Sequence, residues 1–247
     1  MEKVLAIIPA RYASTRLPGK PLLDIGGKPM IQRVFDQVSK CSAVDEIVIA
    51  TDDERISNVA MRFGAKALRT APHHQSGTER CGEILQLMSN KYDLVINIQG
   101  DEPFIHPEQL EELLAAFKNP AVKVATLGKK ISDSKAIEDP NVVKLVKSKS
   151  GKALYFSRSV IPFTRDSASG SFSLPTTYFQ HIGLYAYKAE TLLEIITLQA
   201  SDLEKSEQLE QLRWLENDIH IQVEETNYTS HGIDTPHDLE KARALFN

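Results

Sequence analysis

Two cysteines, Cys41 and Cys81, are all this chain carries, which excludes a disulfide framework and leaves both thiols reduced and half-buried. No run approaches the roughly 20 apolar residues that a membrane-spanning helix needs. The opening MEKVLAIIPAR lacks the cleavage pattern of a secretory leader, so a cytoplasmic protein with no membrane role is expected. Long blocks of like charge are also missing. A formal net charge of −4, spread evenly, gives no support to nucleic acid or an anionic lipid surface as a partner. Neither common phosphate loop is present. Lys20 is followed by Pro21 rather than Ser or Thr, which rules out the P-loop, and no G-x-G-x-x-G follows the first strand. Internal repeats and low-complexity tracts are absent.

What the chain does have is a concentrated positive charge at one place. An apolar strand, Val4–Ile8, gives way abruptly to Pro9-Ala10-Arg11-Tyr12-Ala13-Ser14-Thr15-Arg16-Leu17-Pro18-Gly19-Lys20-Pro21. Arg11, Arg16 and Lys20 stand among Gly, Pro, Ser and Thr, which leave backbone N–H groups unpaired. A polyphosphate needs such a loop, because its oxygens accept from amides and pair with guanidinium and ammonium groups. An ordinary solvated loop is the competing reading, and a position at the end of a buried first strand weighs against it.

At 247 residues the chain suits one α/β domain over 1–247. Apolar strands at Val4–Ile8, Glu46–Thr51, Ala65–Arg69 and Leu94–Ile98 alternate with amphipathic helices. The helices are predicted from Pro29 to about Lys40, Asp53 to Phe63, Thr78 to Ser89 and Pro107 to Lys118. Met30, Ile31, Val34, Phe35 and Val38 mark the inward face of the first. This alternation predicts right-handed βαβ units and a mainly parallel sheet flanked by helices. From about 129 to 187 the pattern turns antiparallel. Val142–Val146 and Ala153–Ser157 read as a hairpin, followed by a Ser/Gly/Asp-rich loop at roughly 164–177. His181–Tyr187 reads as an exposed or interface strand whose edge could pair with a second copy, giving a homodimer. Helices near 189–199 and 204–217, a strand at Ile219–Glu224 and a helix from Pro236 close the chain.

Two acidic turns follow strand-like segments. Gln99-Gly100-Asp101-Glu102-Pro103 comes directly after Leu94–Ile98, at the strand end where ligands of open α/β sheets bind. Asp101 is a hard oxygen ligand there, suited to Mg²⁺ on a triphosphate; the alternative is a helix-capping Asp. In Asp234-Thr235-Pro236-His237-Asp238, capping accounts for Thr235, Pro236 and Asp238 but leaves Asp234 without a task. Whether Asp234 joins Asp101 on a metal stays open from the residues alone. Gln75-Ser76-Gly77-Thr78-Glu79-Arg80 opens a helix, as an anion site or simply as a cap, and the adjacent His73 and His74 read as loop residues without metal-ligand spacing. Arg158 ends the string Ala153-Leu154-Tyr155-Phe156-Ser157-Arg158. His181, Gly183 and Tyr185 share a strand face. Glu207, Glu210 and Gln211 share a helix side, most simply a solvated one.

Ile8-Pro9-Ala10-Arg11 with Arg16-Leu17-Pro18-Gly19-Lys20-Pro21-Leu22 resembles the signature of sugar-activating cytidylyltransferases, above all the 3-deoxy-manno-octulosonate (Kdo) cytidylyltransferases. At least six motifs from Ile7 to Leu239 follow that family's order. The resemblance implies a nucleotide-diphospho-sugar transferase type of Rossmann-like fold and transfer of CMP from CTP to Kdo, feeding lipopolysaccharide synthesis. It implies CTP contacts from Ala10, Arg11, Lys20, Gln75, Ser76, Gly77, Arg80, Gln99, Gly100 and Asp101. Catalytic roles fall to Lys20, Arg16, Asp101 and Asp234, with Mg²⁺ on Asp101 and Asp234. Arg158 is implied beside the phosphates and sugar, and His181, Tyr185, Glu210 and Gln211 in the sugar-acid pocket. Another acidic sugar, sialic acid or 8-amino-Kdo, is the nearest rival. A nucleotide-sugar glycosyltransferase, which usually carries D-x-D where this chain has Asp101-Glu102-Pro103, and a non-catalytic nucleotide sensor follow.

Overall fold

The computed structural model describes residues 2–13, 17–89, 91–165, 177–229 and 232–245. Arg16 and most of the expected loop at 164–177 lie outside the described residues. In chain order the elements are β1 (Val4–Pro9), β2 (Asp24–Ile25), β3 (Lys28–Pro29), α1 (Met30–Val38), β4 (Glu46–Thr51), α2 (Glu54–Arg62), β5 (Lys66–Arg69), α3 (Gly77–Leu87), β6 (Leu94–Asn97) and α4 (Pro107–Ala115). They continue with β7 (Val124–Lys130), α5 (Ser134–Glu138), β8 (Lys144–Lys147), β9 (Ala153–Ser157), β10 (Phe179–Lys188), α6 (Ala189–Ile195), α7 (Asp202–Glu207), α8 (Gln211–Glu216), β11 (Ile221–Glu225) and α9 (Pro236–Ala244). Two compact units result. One comprises Met1–Glu111, Leu184–Ile196 and Thr229–Asn247, the other Glu112–Gly183 and Thr197–Tyr228.

In the first unit β1 lies between β4 and β6, parallel to both, with Ile7 opposite Val48 on one side and Asn97 on the other. β5 continues the parallel set beyond β4, while the second half of β10 runs antiparallel on β6, with Tyr185 opposite Asn97. Leu5, Ala6, Ile7 and Ile8 are wholly inaccessible, as expected of a strand covered on both faces. Met30, Ile31, Val34 and Val38 of α1 are buried as their spacing predicts, whereas Phe35 is half-buried against the Phe63 ring at 5.5 Å. Cys41 and Cys81 are both buried thiols outside any disulfide, deeper than expected, and burial pushes the Cys41 thiol up.

In the second unit β7 and β11 form a parallel pair, with Thr126 opposite Val223. β8 and β9 form the expected antiparallel hairpin, and Phe179–Gln180 of β10 pair with Leu145 and Lys144. Two expectations need correction. β10 is not an unpaired edge strand, because its second half pairs with β6 and Phe179–Gln180 pair with β8. The helix expected over 204–217 is broken. α7 ends at Gln208 in the left-handed region, at φ 54°, and α8 starts afresh at Gln211.

Candidate active site

The cationic loop gets its shape from a few backbone bonds. Ala10 N donates to Ala50 O at 2.9 Å as the chain leaves β1, and Gly19 N donates to Tyr12 O at 3.0 Å. Gly19 sits at φ 67°, a conformation glycine adopts without cost, and starts a single helical turn whose first residue is Lys20. Tyr12 lies under the guanidinium of Arg55, 3.3 Å from its ring centroid, and Arg55 is held bidentately by Asp53, the N-cap of α2.

Lys20 Nζ donates to Asp101 Oδ2 at 2.5 Å and to Asp234 Oδ1 at 3.0 Å. Burial works against the ammonium, but the Asp101 charge and hydrogen bond, followed by those of Asp234, outweigh it and hold the pKa above its ordinary value. Lys20 is therefore cationic at neutral pH. Asp101 stands in the turn after β6, and its position depends on Gly100. A Cβ at Gly100 would lie 2.7 Å from the Pro9 carbonyl oxygen, so this glycine lets two strand ends close on each other. Asp234 immediately precedes the Thr235–Asp238 capping box, which has Pro236 in the first turn as the sequence predicts. Ile233 N donates to Asp101 O at 3.0 Å and ties the two acidic turns together.

These groups border an open cavity of about 320 Å³ lined by Pro9, Ala10, Arg11, Lys20, Pro21, His74 to Gly77, Arg80, Gln99 to Asp101 and Asp234. All the expected nucleotide contacts among the described residues thus meet at one place. Ser76 caps α3 by accepting from Glu79 N at 3.1 Å, and this helix start forms part of the cavity wall. Arg80 lines the same cavity. It is buried, and its guanidinium is engaged by Thr70 Oγ1 and lies 3.6 Å from Asp52, so part of its charge is spent inside the protein. His74 is the residue that sequence reasoning missed. It lines the cavity, its Nε2 meets Glu83 Oε2 at 2.5 Å, and Nδ1 stands 3.6 Å from Glu79. The i, i+4 pair Glu79 and Glu83 facing back along α3 was the available signal.

The expected sugar-binding residues fall into different settings. Arg158 donates from Nε to Glu207 O at 2.8 Å and from a terminal nitrogen to Pro140 O at 3.0 Å. Glu207 also accepts from Ser157 Oγ at 2.6 Å and Arg158 N at 3.0 Å. It is therefore a bracing group, and the helix side shared by Glu207, Glu210 and Gln211 does not exist. Lys144 is wholly inaccessible; its ammonium donates to Asp139 O and Arg158 O, and burial pushes its pKa down.

His181 packs edge-on to Phe156, and burial pushes its pKa to about 3, so the imidazole is neutral. Its Nε2 is 3.1 Å from Thr126 Oγ1, which itself donates to Ile182 O at 3.1 Å. Gln211 is buried, and its amide nitrogen finds no acceptor among the described residues. Glu210 precedes Gln211 at the start of α8, and Tyr185 lies on the first-unit half of β10, beside Tyr187.

Comparison with known proteins identifies the family. The cytidylyltransferase family model matches residues 5–224. The 3-deoxy-manno-octulosonate cytidylyltransferase of Phocaeicola vulgatus is 52% identical over 246 residues, covering 98% of this chain and 97% of its own. That of Parabacteroides distasonis is 49% identical over 249 residues, covering 99% and 98%. Among solved structures, a CMP:2-keto-3-deoxy-manno-octonic acid synthetase complexed with CTP is similar with a TM-score of 0.92 and 43% identity over 98% of both chains. A 4-diphosphocytidyl-2C-methyl-D-erythritol synthase from Anaerococcus prevotii, at 16% identity and a TM-score of 0.65, shares the fold alone. The chain belongs to the 3-deoxy-manno-octulosonate cytidylyltransferase family.

Proposed function

We propose that this protein activates Kdo with CTP, releasing pyrophosphate and forming CMP-Kdo for lipopolysaccharide synthesis. The observation that carries the proposal is the meeting of Lys20, Asp101 and Asp234 in a cavity walled by the start of α3 and the Gln99–Asp101 turn. In the reaction the anomeric hydroxyl oxygen bonds to the α-phosphorus and the bond to the bridging oxygen of the β-phosphate breaks. The hydroxyl proton is lost, and pyrophosphate leaves with the electron pair.

Arg11 and Lys20 would bind the phosphate oxygens and the charge that builds on the leaving group, with Arg16 assigned the same task by the family signature alone. Gln75, Ser76 and Gly77, with Gln99 and Gly100, would hold the nucleotide by backbone and amide groups. Asp101 and Asp234 fit Mg²⁺, because their hard oxygens already converge on one cation. Two carboxylates are also what magnesium sites completed by substrate phosphates contain. When bound, the ion would neutralise phosphate oxygens and ease ionisation of the attacking hydroxyl.

For the sugar, Arg158 would face the carboxylate, while His181, Glu210, Gln211 and Tyr185 would meet hydroxyls. The orphaned Gln211 amide supports one such contact. No helix among the described residues is long and apolar enough to cross a membrane. A cytoplasmic setting suits a CTP-consuming enzyme with two buried thiols outside any disulfide. A homodimer remains part of the proposal, supported by the exposed Leu154 and Phe163; a single sedimenting species of monomer mass at micromolar concentration would remove it.

The deciding experiment is pyrophosphate release with each of the four nucleoside triphosphates and Kdo, sialic acid or 8-amino-Kdo. Release with CTP and Kdo together is expected. Equal release with UTP, or preference for another acidic sugar, would overturn the assignment.

A further inference from the structure

We infer that Lys20 is an internal counter-cation that keeps the Asp101–Asp234 pair closed to free divalent metal until a nucleotide draws its ammonium away. The inference rests on the proposed role of those two carboxylates as metal ligands and adds a condition to it.

Three separate segments build the arrangement. Asp101 comes from the turn after β6, Asp234 from the residue before the α9 cap, and Lys20 from the turn that Gly19 starts. The bond from Ile233 N to Asp101 O fixes the acidic turns against each other through backbone alone. Their separation therefore does not depend on which cation lies between the side chains. Two carboxylates held this close repel unless a positive charge stands between them. The Lys20 ammonium is such a charge, at 2.5 and 3.0 Å from the two oxygens, with a side chain only 14% exposed.

A divalent ion seeking the same oxygens must displace the ammonium. A lysine this enclosed cannot leave its partners for water without cost, so it needs another anion nearby. The cavity that Lys20 lines with Arg11 and the start of α3 is shaped for such an anion, the triphosphate. Nucleotide binding thus gives Lys20 a new partner and frees the carboxylates. By linkage, metal at the carboxylates drives Lys20 onto the phosphates and tightens the nucleotide by the same factor. The enzyme would accordingly take up its metal with the nucleotide rather than before it. Lys20 is a positioning residue in the first state and a phosphate ligand in the second.

The test is Mn²⁺ binding to nucleotide-free protein, followed by electron paramagnetic resonance at one neutral pH. Lys20→Met should bind Mn²⁺ about tenfold or more tightly than wild type, the order expected when a shielded ion-pair competitor is removed. Lys20→Arg keeps the cation and should stay at wild-type affinity. Adding Asp101→Asn to Lys20→Met should abolish the gain. Equal affinity of Lys20→Met and wild type, or a gain in Lys20→Arg, would overturn the inference. Wild-type protein provides an independent check that needs no variant to fold. Its Mn²⁺ affinity without nucleotide should lie well below that of the CTP complex, and equal affinities would overturn the inference. If Asp101→Asn and Asp234→Asn leave Mn²⁺ uptake by the CTP complex unchanged, the carboxylate assignment itself falls and takes the inference with it. If they abolish uptake while Lys20→Met gains nothing, only the role of Lys20 falls.

Discussion

Two charged clusters in this protein are built on opposite principles. In the first unit the Lys20 ammonium pairs with Asp101 and Asp234 across side chains, on the wall of an open cavity. In the second unit Lys144 and Arg158 donate to backbone carbonyls, Glu207 accepts from a hydroxyl and an amide, and His181 is neutral. The first arrangement can exchange partners, because an incoming anion or metal replaces an ion pair with another ion pair. The second cannot. Its groups are fixed by backbone bonds whose loss would leave buried polar atoms unpaired, so it is a scaffold that presents donors and acceptors in set directions. This contrast suits a reaction with one polyanionic substrate and one rich in hydroxyls.

The strongest way to break the comparison is to remove exchangeable charge. Asp101→Asn should lower turnover by about 10²–10³-fold, the scale of losing one preorganised electrostatic contact in a transition state, with a much smaller change in KM for CTP. Pyrophosphate release at saturating Kdo reads both quantities. A variant that turns over normally would show that the acidic pair is merely structural.

A second test asks whether His181 belongs to the fixed cluster. Its folded pKa of about 3 lies below the ordinary value near 6.5. Between those values the unfolded chain binds the proton and the folded chain does not. The stabilisation is complete above pH 6.5 and is lost as pH falls toward 3. Wild-type stability should therefore fall more steeply than that of His181→Gln between pH 7 and 4. The difference in slope should approach roughly 1.4 kcal/mol per pH unit. Urea denaturation across that range measures it, and parallel slopes would place a charged imidazole in the folded protein. Activity should show no inflection from His181 between pH 5 and 8.

The third concerns Glu207. Glu207→Ala strips the acceptor from Ser157 Oγ and Arg158 N and should cost about 1–3 kcal/mol in urea denaturation. KM for the sugar should rise more than KM for CTP. Equal changes in both would show that Glu207 supports the whole fold rather than Arg158.

The two clusters were also unequally legible before folding. Lys20, Asp101 and Asp234 each follow a strand or precede a cap, and strand ends of parallel sheets gather on one side. Local pattern therefore carried their meeting, and the mainly parallel sheet with it. The scaffold was hidden for identifiable reasons. Residues 204–217 are mostly strong helix formers, and nothing local marks the left-handed Gln208. The break frees Glu207 to reach Ser157 and Arg158, about fifty residues earlier in the chain. β7 was missed because Val124–Lys130 ends in Gly and Lys, and its parallel partner β11 comes about a hundred residues later. Arg80 reads from sequence as a free charge at a helix start. Only the fold reveals Asp52 and Thr70 beside it.

The smallest effect should come from the strap beneath the cationic loop, which joins the two styles by holding an exchangeable site with a fixed contact. Tyr12 lies under Arg55, and its carbonyl accepts from Gly19, one residue before Lys20. A Cβ at Gly19 would come within 3.1 Å of the Tyr12 ring, so the ring also sets the path of the turn. Losing the Arg55 stack should loosen Lys20 without touching the phosphates directly. Arg55→Ala and Tyr12→Ala should each raise KM for CTP about two- to fivefold, the size expected of an exposed cation–π contact, with turnover little changed. Tyr12→Phe keeps the ring and should behave as wild type. The double variant Tyr12→Ala/Arg55→Ala should be no worse than either single one, since both remove the same contact. Additive losses would mean that Arg55 acts on the nucleotide by its charge alone, and the loop would then owe its shape to Gly19 and the backbone bonds.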